Sequence, residues 1–216
     1  MRKSEITENT QTKSFESTRL DKATLGGTLL YIGSIQWFLG LLLAEAWYPG
    51  YSSRIDYVSD LGVGPTALIY NVSVFLLGLC MFLSAYFMMQ SIGGRVQSIL
   101  LAISGIGAMG VGVFPYPLQP WHSIFTLIAI LFGAFAAISS YQKQKPPISY
   151  ISVVLGLFSL IAAIIFFPYL GLPVGATDTF LGMAKGSMER WAIYPILSWA
   201  IGHGSHIART QSDEYI

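Results

Sequence analysis

The chain has 216 residues, of which 53% are hydrophobic, 14% aromatic and only 11% charged, whereas a soluble domain carries roughly 25% charged side chains. So few charges cannot cover a water-facing surface, and a formal net charge of +1 excludes the concentrated basic face of a nucleic-acid binder. Uncharged stretches cover 23–44, 61–94, 96–142 and 146–177, each longer than the roughly 18 residues that mark a bilayer span.

The first 22 residues are polar and lack apolar periodicity, which predicts a disordered cytoplasmic tail. Ala44-Glu45-Ala46 mimics a small-x-small cleavage site, but the apolar run before it exceeds the roughly 7–15 residues of a signal peptide, so it is read as a span. That first span is predicted over 25–46, closed by Trp47 and Tyr48, whose amphipathic rings suit the headgroup level. A polar segment over 49–65 follows, then a second span over 66–89 and a tight Gly93-Gly94-Arg95 turn into a third over 96–114. The lone cysteine, Cys80, falls inside the second span as a small packing residue, with no disulfide framework to join.

Pro115, Pro117 and Pro120 break the helical pattern, because proline lacks the N–H donor and clashes with the preceding turn. The fourth span is predicted over 121–141, a basic turn with Lys143 and Lys145 leads to a fifth over 148–167, and a longer loop over 168–190 precedes a sixth over 191–207. The expectation is an all-α, polytopic membrane bundle of six helices spanning 23–208, with a short tail over 209–216. Nine of the twelve lysines and arginines fall in the tails and in the turns after spans two and four. Short basic loops stay inside, so both termini are predicted to be cytoplasmic, in the cell membrane.

Helix association in lipid relies on small residues that let backbones approach. Span three offers Ser104, Ala108 and Gly112, and span four Ala129, Gly133 and Ala137, each at four-residue spacing, which predicts that these helices meet each other or a common neighbour. The run Gly105-Ile106-Gly107-Ala108-Met109-Gly110 matches a dinucleotide fingerprint but lacks the strand and βαβ unit that motif requires, so packing is its reading and no cofactor is expected.

Polar residues collect at the predicted outer face. Ser59 or Asp60 fits the cap of a short helix, and Asp60 is also a candidate ligand-binding or catalytic carboxylate. Asn71 enters span two below that face, where an amide needs partners in the bundle. His122 opens span four with an imidazole able to titrate near neutral pH. Glu189 and Arg190 precede span six, and with Asp56 and Asp60 they are expected to form either a structural ion network or a site. No metal site is expected, because His122 lies at the opposite leaflet from His203 and His206 and a tetrahedral site needs its ligands within about 2 Å of one ion.

Ser59-Asp60-Leu61-Gly62 before span two, Asn71 within it, Gly110-x-Gly112-x-Phe114-Pro115 ending span three, His122 opening span four, and Glu189-Arg190 followed by Tyr194-Pro195 resemble the domain of unknown function 998 membrane family of archaea and bacteria. The resemblance covers about residues 24 to 207 and implies no particular activity. That family is distantly similar to six-span proteins of the GPI-lipid remodelling and DRAM type, which implies lipid handling.

The reading of the site is a pocket of Asp60, Asn71, His122, Glu189 and Arg190 that binds a membrane lipid or small ligand, with Arg190 holding an anionic headgroup. A lipid transferase or hydrolase would use Asp60, His122 or Glu189 as its catalytic groups in the same pocket. A scaffold or non-catalytic subunit with a membrane-protein partner, or a homo-oligomer, would use the cluster only to lock its helices.

Overall fold

The computed structural model describes residues 21–91, 94–170, 172 and 179–210. Almost all of both expected tails, Gly93 of the expected turn and Asp178 lie outside the described residues. The described chain is built on six helices, α1 (Lys22–Trp47), α2 (Ala67–Ser91), α3 (Arg95–Val113), α4 (Trp121–Ser139), α5 (Ile148–Phe166) and α6 (Lys185–Thr210). Each packs on the next in the chain, and α6 returns to α1, so the helices close a ring.

The helices α1 to α5 are long and apolar enough to cross a membrane by length and composition. The protein is therefore a multi-pass membrane protein. The sixth helix is as long as the first but carries Lys185, Glu189, Arg190, His203, His206 and Arg209. It also starts two turns before the expected position near Trp191. The reason lies just upstream, where β1 (Thr179–Phe180) and β2 (Met183–Ala184) pair as a hairpin. Its turn residues Leu181 and Gly182 both have positive φ, 52° and 74°, the backbone sense that matches the twist of paired strands. This hairpin delivers the chain directly to Lys185.

Local chemistry sets several boundaries. The Asp21 carboxylate accepts the Thr24 N–H at 2.8 Å and caps α1, so the helix begins inside what the sequence assigns to the tail. Pro120 and Pro147 stand at the N-caps of α4 and α5, where a missing N–H costs no helical bond. Three short 3-10 turns complete the described chain, at Val58–Gly62, Ser140–Lys143 and Phe167–Tyr169.

Small residues bring the helices together. A methyl group on Gly105 would stand 2.7 Å from the Gly78 carbonyl, one on Gly107 would stand 2.5 Å from the Ala129 nitrogen, and one on Gly27 would stand 2.7 Å from the Gly204 carbonyl. Pairs α2–α3, α3–α4 and α1–α6 are thus in near backbone contact, which maximises dispersion where lipid removes the hydrophobic drive. The expected pairing of α3 with α4 is present: the Ser104 hydroxyl donates to the Ala129 carbonyl at 2.7 Å. Gly112 turns instead to α2, against the Asn71 carbonyl and Phe75.

At the end of the bundle where α1 starts and α6 stops, His203 is buried between two amides. Its Nδ1 lies 2.7 Å from Gln144 Nε2, its Nε2 meets the Gln97 amide, and its ring stacks on Trp199. Gln144 in turn accepts from the Ser152 hydroxyl at 2.6 Å. This network cross-links α3, α5 and α6 far from His122, at the other end of the bundle.

Candidate functional site

The opposite end is closed by the segment between α1 and α2, which folds back over the bundle. Arg190, on the second turn of α6, holds it there. One guanidinium nitrogen donates to the Ser53 carbonyl at 2.6 Å, the Gly186 carbonyl at 3.0 Å and the Asp56 carbonyl at 3.3 Å. The other donates to the Glu45 carboxylate and the Tyr51 hydroxyl, both at 2.6 Å. The planar fork of arginine suits such a multi-point clamp. The Tyr51 hydroxyl passes the chain onward, donating to the Tyr57 carbonyl at 2.9 Å. Burial pushes the Tyr51 phenol well above its ordinary range despite the adjacent guanidinium, so it stays a neutral donor.

The segment approaches α6 so closely that a methyl group on Gly186 would stand 2.1 Å from the Asp56 carbonyl. Glu189 makes the neighbouring contact, accepting the Val58 N–H at the start of the 3-10 turn. A carboxylate at that point completes an otherwise orphaned donor. Adjacent residues on one helix thus diverge: Arg190 grips the segment's carbonyls and α1, and Glu189 its N–H groups.

Asp60 is buried, with 4% of its surface exposed. One carboxylate oxygen accepts the Tyr57 N–H at 2.9 Å, but Tyr57 holds the N-cap of the Val58–Gly62 turn and Asp60 is its third residue, so Asp60 caps from inside the turn and not from the N-cap position expected of it. The other oxygen has no hydrogen-bond partner among the described residues. Burial raises its carboxyl above the ordinary value of 3.8, and the Tyr57 N–H and the nearby Lys185 charge only partly oppose that. Lys185 is itself fully buried, its ammonium 4.3 Å from the centre of the Tyr57 ring. Asn71 donates to the Gly62 carbonyl at 2.9 Å, and a methyl group on Gly62 would stand 2.5 Å from the Asn71 oxygen. Gly64, at φ 88°, then turns the chain into Pro65 and α2.

His122 is buried at the start of α4, its Nδ1 2.8 Å from the Phe114 carbonyl and its Nε2 3.4 Å from the Thr126 hydroxyl. Donation from Nδ1 leaves Nε2 as an acceptor, the neutral tautomer. Tyr116 stands edge-on to the ring at 5.7 Å. A small void of about 10 Å3 joins His122 to Ser59, Thr126 and Glu189.

Beneath this cap lies a longer cavity of about 90 Å3 inside the ring of helices. Glu189, Ser59 and Thr126 stand along it with Trp37, Ala108 and Ala200, and it follows α6 from Glu189 to Ala200, about 16 Å at the helical rise. Its walls are mostly apolar, and the buried Trp37 indole N–H beside it has no partner among the described residues.

The five residues singled out in the sequence therefore divide. Glu189 and His122 meet at the void, whereas Asp60, Asn71 and Arg190 build the cap above it. Arg190 is not the free anion receptor expected of it, because its guanidinium is turned to protein oxygens. The anticipated ion network with Asp56 and Asp60 is also redrawn, since the charge partner of Arg190 is Glu45, at 2.6 Å. Sequence reasoning missed Glu45, Tyr51 and Lys185. The available signal was a lone acid and a lone lysine beside span ends, at the same face as Arg190. Among the described residues no group of three or more His, Cys, Asp or Glu side chains is placed to hold a metal ion.

The architecture is that of a multi-pass helical membrane protein whose buried carboxylate and histidine sit under a folded polar cap. The family described as "Protein of unknown function (DUF998)" matches residues 31–206, and the chain belongs to it. No curated protein and no solved structure matches the chain.

The titration of Asp60 has a sign that can be measured. A carboxyl raised by folding stabilises the fold below its unfolded value, and that stability is lost as pH rises through the raised value. In thermal melts of the detergent-solubilised protein, wild type loses stability with rising pH above about pH 4, and Asp60→Asn, which keeps the acceptor, loses less over the same interval. Asp60→Ala removes the cap and costs about 1–2 kcal/mol. A wild-type stability that climbs over the same interval contradicts the raised carboxyl.

Proposed function

We propose that this protein binds an amphiphilic small molecule or membrane lipid in the cavity within its helix ring, with the polar end of the ligand at Glu189, His122, Ser59 and Thr126. The observation that carries this reading is the apolar cavity that runs from a buried carboxylate to an indole N–H with no partner among the described residues. An unpaired buried donor costs about 1–3 kcal/mol, and a ligand acceptor beside Trp37 removes that cost. Ligand pockets generally combine apolar walls with a few convergent polar groups. Asp60, Asn71 and Arg190 act in this reading by holding the lid of the pocket.

Six helices cross the cell membrane in this account, with the capped end outside and both termini inside. The distribution of lysine and arginine supports that orientation. The charges of α6 lie toward its two ends, leaving Trp191 to Gly202 free of them, and the helix packs along α1 and α5. Single cysteines replacing Ser53 and Lys143 in a Cys80→Ala background test it. In right-side-out vesicles an impermeant thiol reagent labels the first and spares the second, and equal labelling contradicts the topology.

A second reading, a scaffold subunit whose cap only locks the helices, is favoured by the saturation of the Arg190 guanidinium. Mass spectrometry of small molecules carried by the protein through purification in mild detergent separates the two. The wild type carries a defined amphiphile at near-stoichiometric amount, and Ala108→Phe, which fills the cavity and leaves the polar groups of the clamp unchanged, loses it while remaining folded. A wild type that carries none, or an Ala108→Phe variant that carries as much, supports the scaffold.

A further inference from the structure

A second concavity lies on the outside of the ring, between α5 and α6, and shares none of the polar groups of the internal cavity. It has a volume of about 700 Å3 and is open along its length. Val154, Phe158 and Trp191 line it, and each leaves at least a third of its surface exposed. Phe158 and Trp191 stack at 4.9 Å and form one wall. Along α6 the groove extends from Ser187 to Ser198, about 16 Å at the helical rise. That length matches one leaflet of a hydrocarbon core about 30 Å thick.

The two ends differ in chemistry. At the capped end stand Ser53, Ser187 and Arg54, while the rest of the lining is apolar or aromatic apart from Ser198. Arg190 also borders this end, but its donors face the clamp. Arg54 is exposed and makes no ion pair or side-chain hydrogen bond with a described residue. Its backbone is nevertheless fixed, because its carbonyl accepts the Ser187 N–H at 3.0 Å. A guanidinium is thus anchored at the headgroup end of a leaflet-long apolar groove. Trp191, one turn below, has the amphipathic ring favoured at a membrane boundary.

We infer that the groove between α5 and α6 binds an anionic glycerophospholipid, with its phosphate on Arg54 and one acyl chain against Val154, Phe158 and Trp191. The charge complementarity selects the class. A zwitterionic lipid offers the same chains but sets a cation beside its phosphate, so the preference comes from the one arginine. A single basic residue at an anionic surface contributes about 1 kcal/mol, or about fivefold.

The test uses the full chain in mixed micelles with dioleoyl phosphatidylglycerol or dioleoyl phosphatidylcholine, and native mass spectrometry counts the retained lipid. Wild type retains about fivefold more of the anionic lipid. Arg54→Gln, a change at an exposed side chain, falls to the phosphatidylcholine level at unchanged thermal stability. Arg95→Gln, at the other end of the bundle, keeps the preference. Val154→Trp, which fills the groove, reduces retention of both lipids. Equal retention of the two lipids by wild type overturns the assignment, as does a preference that survives Arg54→Gln or is lost equally in Arg95→Gln. Displacement of the anionic lipid by inorganic phosphate at matched ionic strength also overturns it, because the site would then belong to a soluble anion.

Discussion

The Arg190 guanidinium is the contact on which the capped end depends. It joins three backbone carbonyls, a phenol and the Glu45 carboxylate, and so ties α1, α6 and the segment between α1 and α2 into one unit. Without a closely held cap, the N–H and carbonyl groups of that segment would need other partners at a membrane boundary. With it, they are met by side chains rooted in the helices: Arg190 on the carbonyl side, Glu189 on the N–H side, and Asn71 at the exit. A buried charge of this kind is costly unless paired and hydrogen-bonded on all its faces, which is why so many groups converge on one side chain.

The cap also defines the space below it. Glu189 anchors Val58 and at the same time stands beside the internal cavity, so the residue that fixes the lid also supplies the cavity's carboxylate. His122 shows the same duality, with one nitrogen committed to the end of α3 and the other turned toward Thr126 and the void. Structure and binding are therefore not separable by simple deletion of either side chain. Substitutions in the apolar cavity wall and in the outer groove leave the clamp alone, and they separate ligand binding from folding.

Much of the fold was legible because hydropathy and proline placement are strong, local signals. The three prolines before α4 and the close meeting of α3 with α4 lie where the sequence placed them. The sixth helix was harder to bound, since its first turns carry Lys185, Glu189 and Arg190, charges that read as loop when no partner is visible. Their partners are residues 45 to 60, some 130 positions away in the chain, and a single sequence carries no sign of such pairing. That Asp60 takes part in capping a short turn was legible from the local sequence, whereas its place inside the Val58–Gly62 turn and its unpaired oxygen were not, because those depend on what surrounds it in three dimensions. The internal cavity was equally hidden, as it is bounded by a few residues from each of five helices, most of which individually read as core.

Hydrogen exchange of the cap backbone in wild type and Arg190→Gln is the most direct test of the clamp. The account predicts that the amides of Asp56, Tyr57 and Val58, each bonded within the cap, are protected in wild type. In the variant they lose protection by at least tenfold while amides in the middle of α2 keep theirs, which is local opening without global unfolding. Equal protection of the cap in both proteins would contradict the claim that this one guanidinium holds it closed.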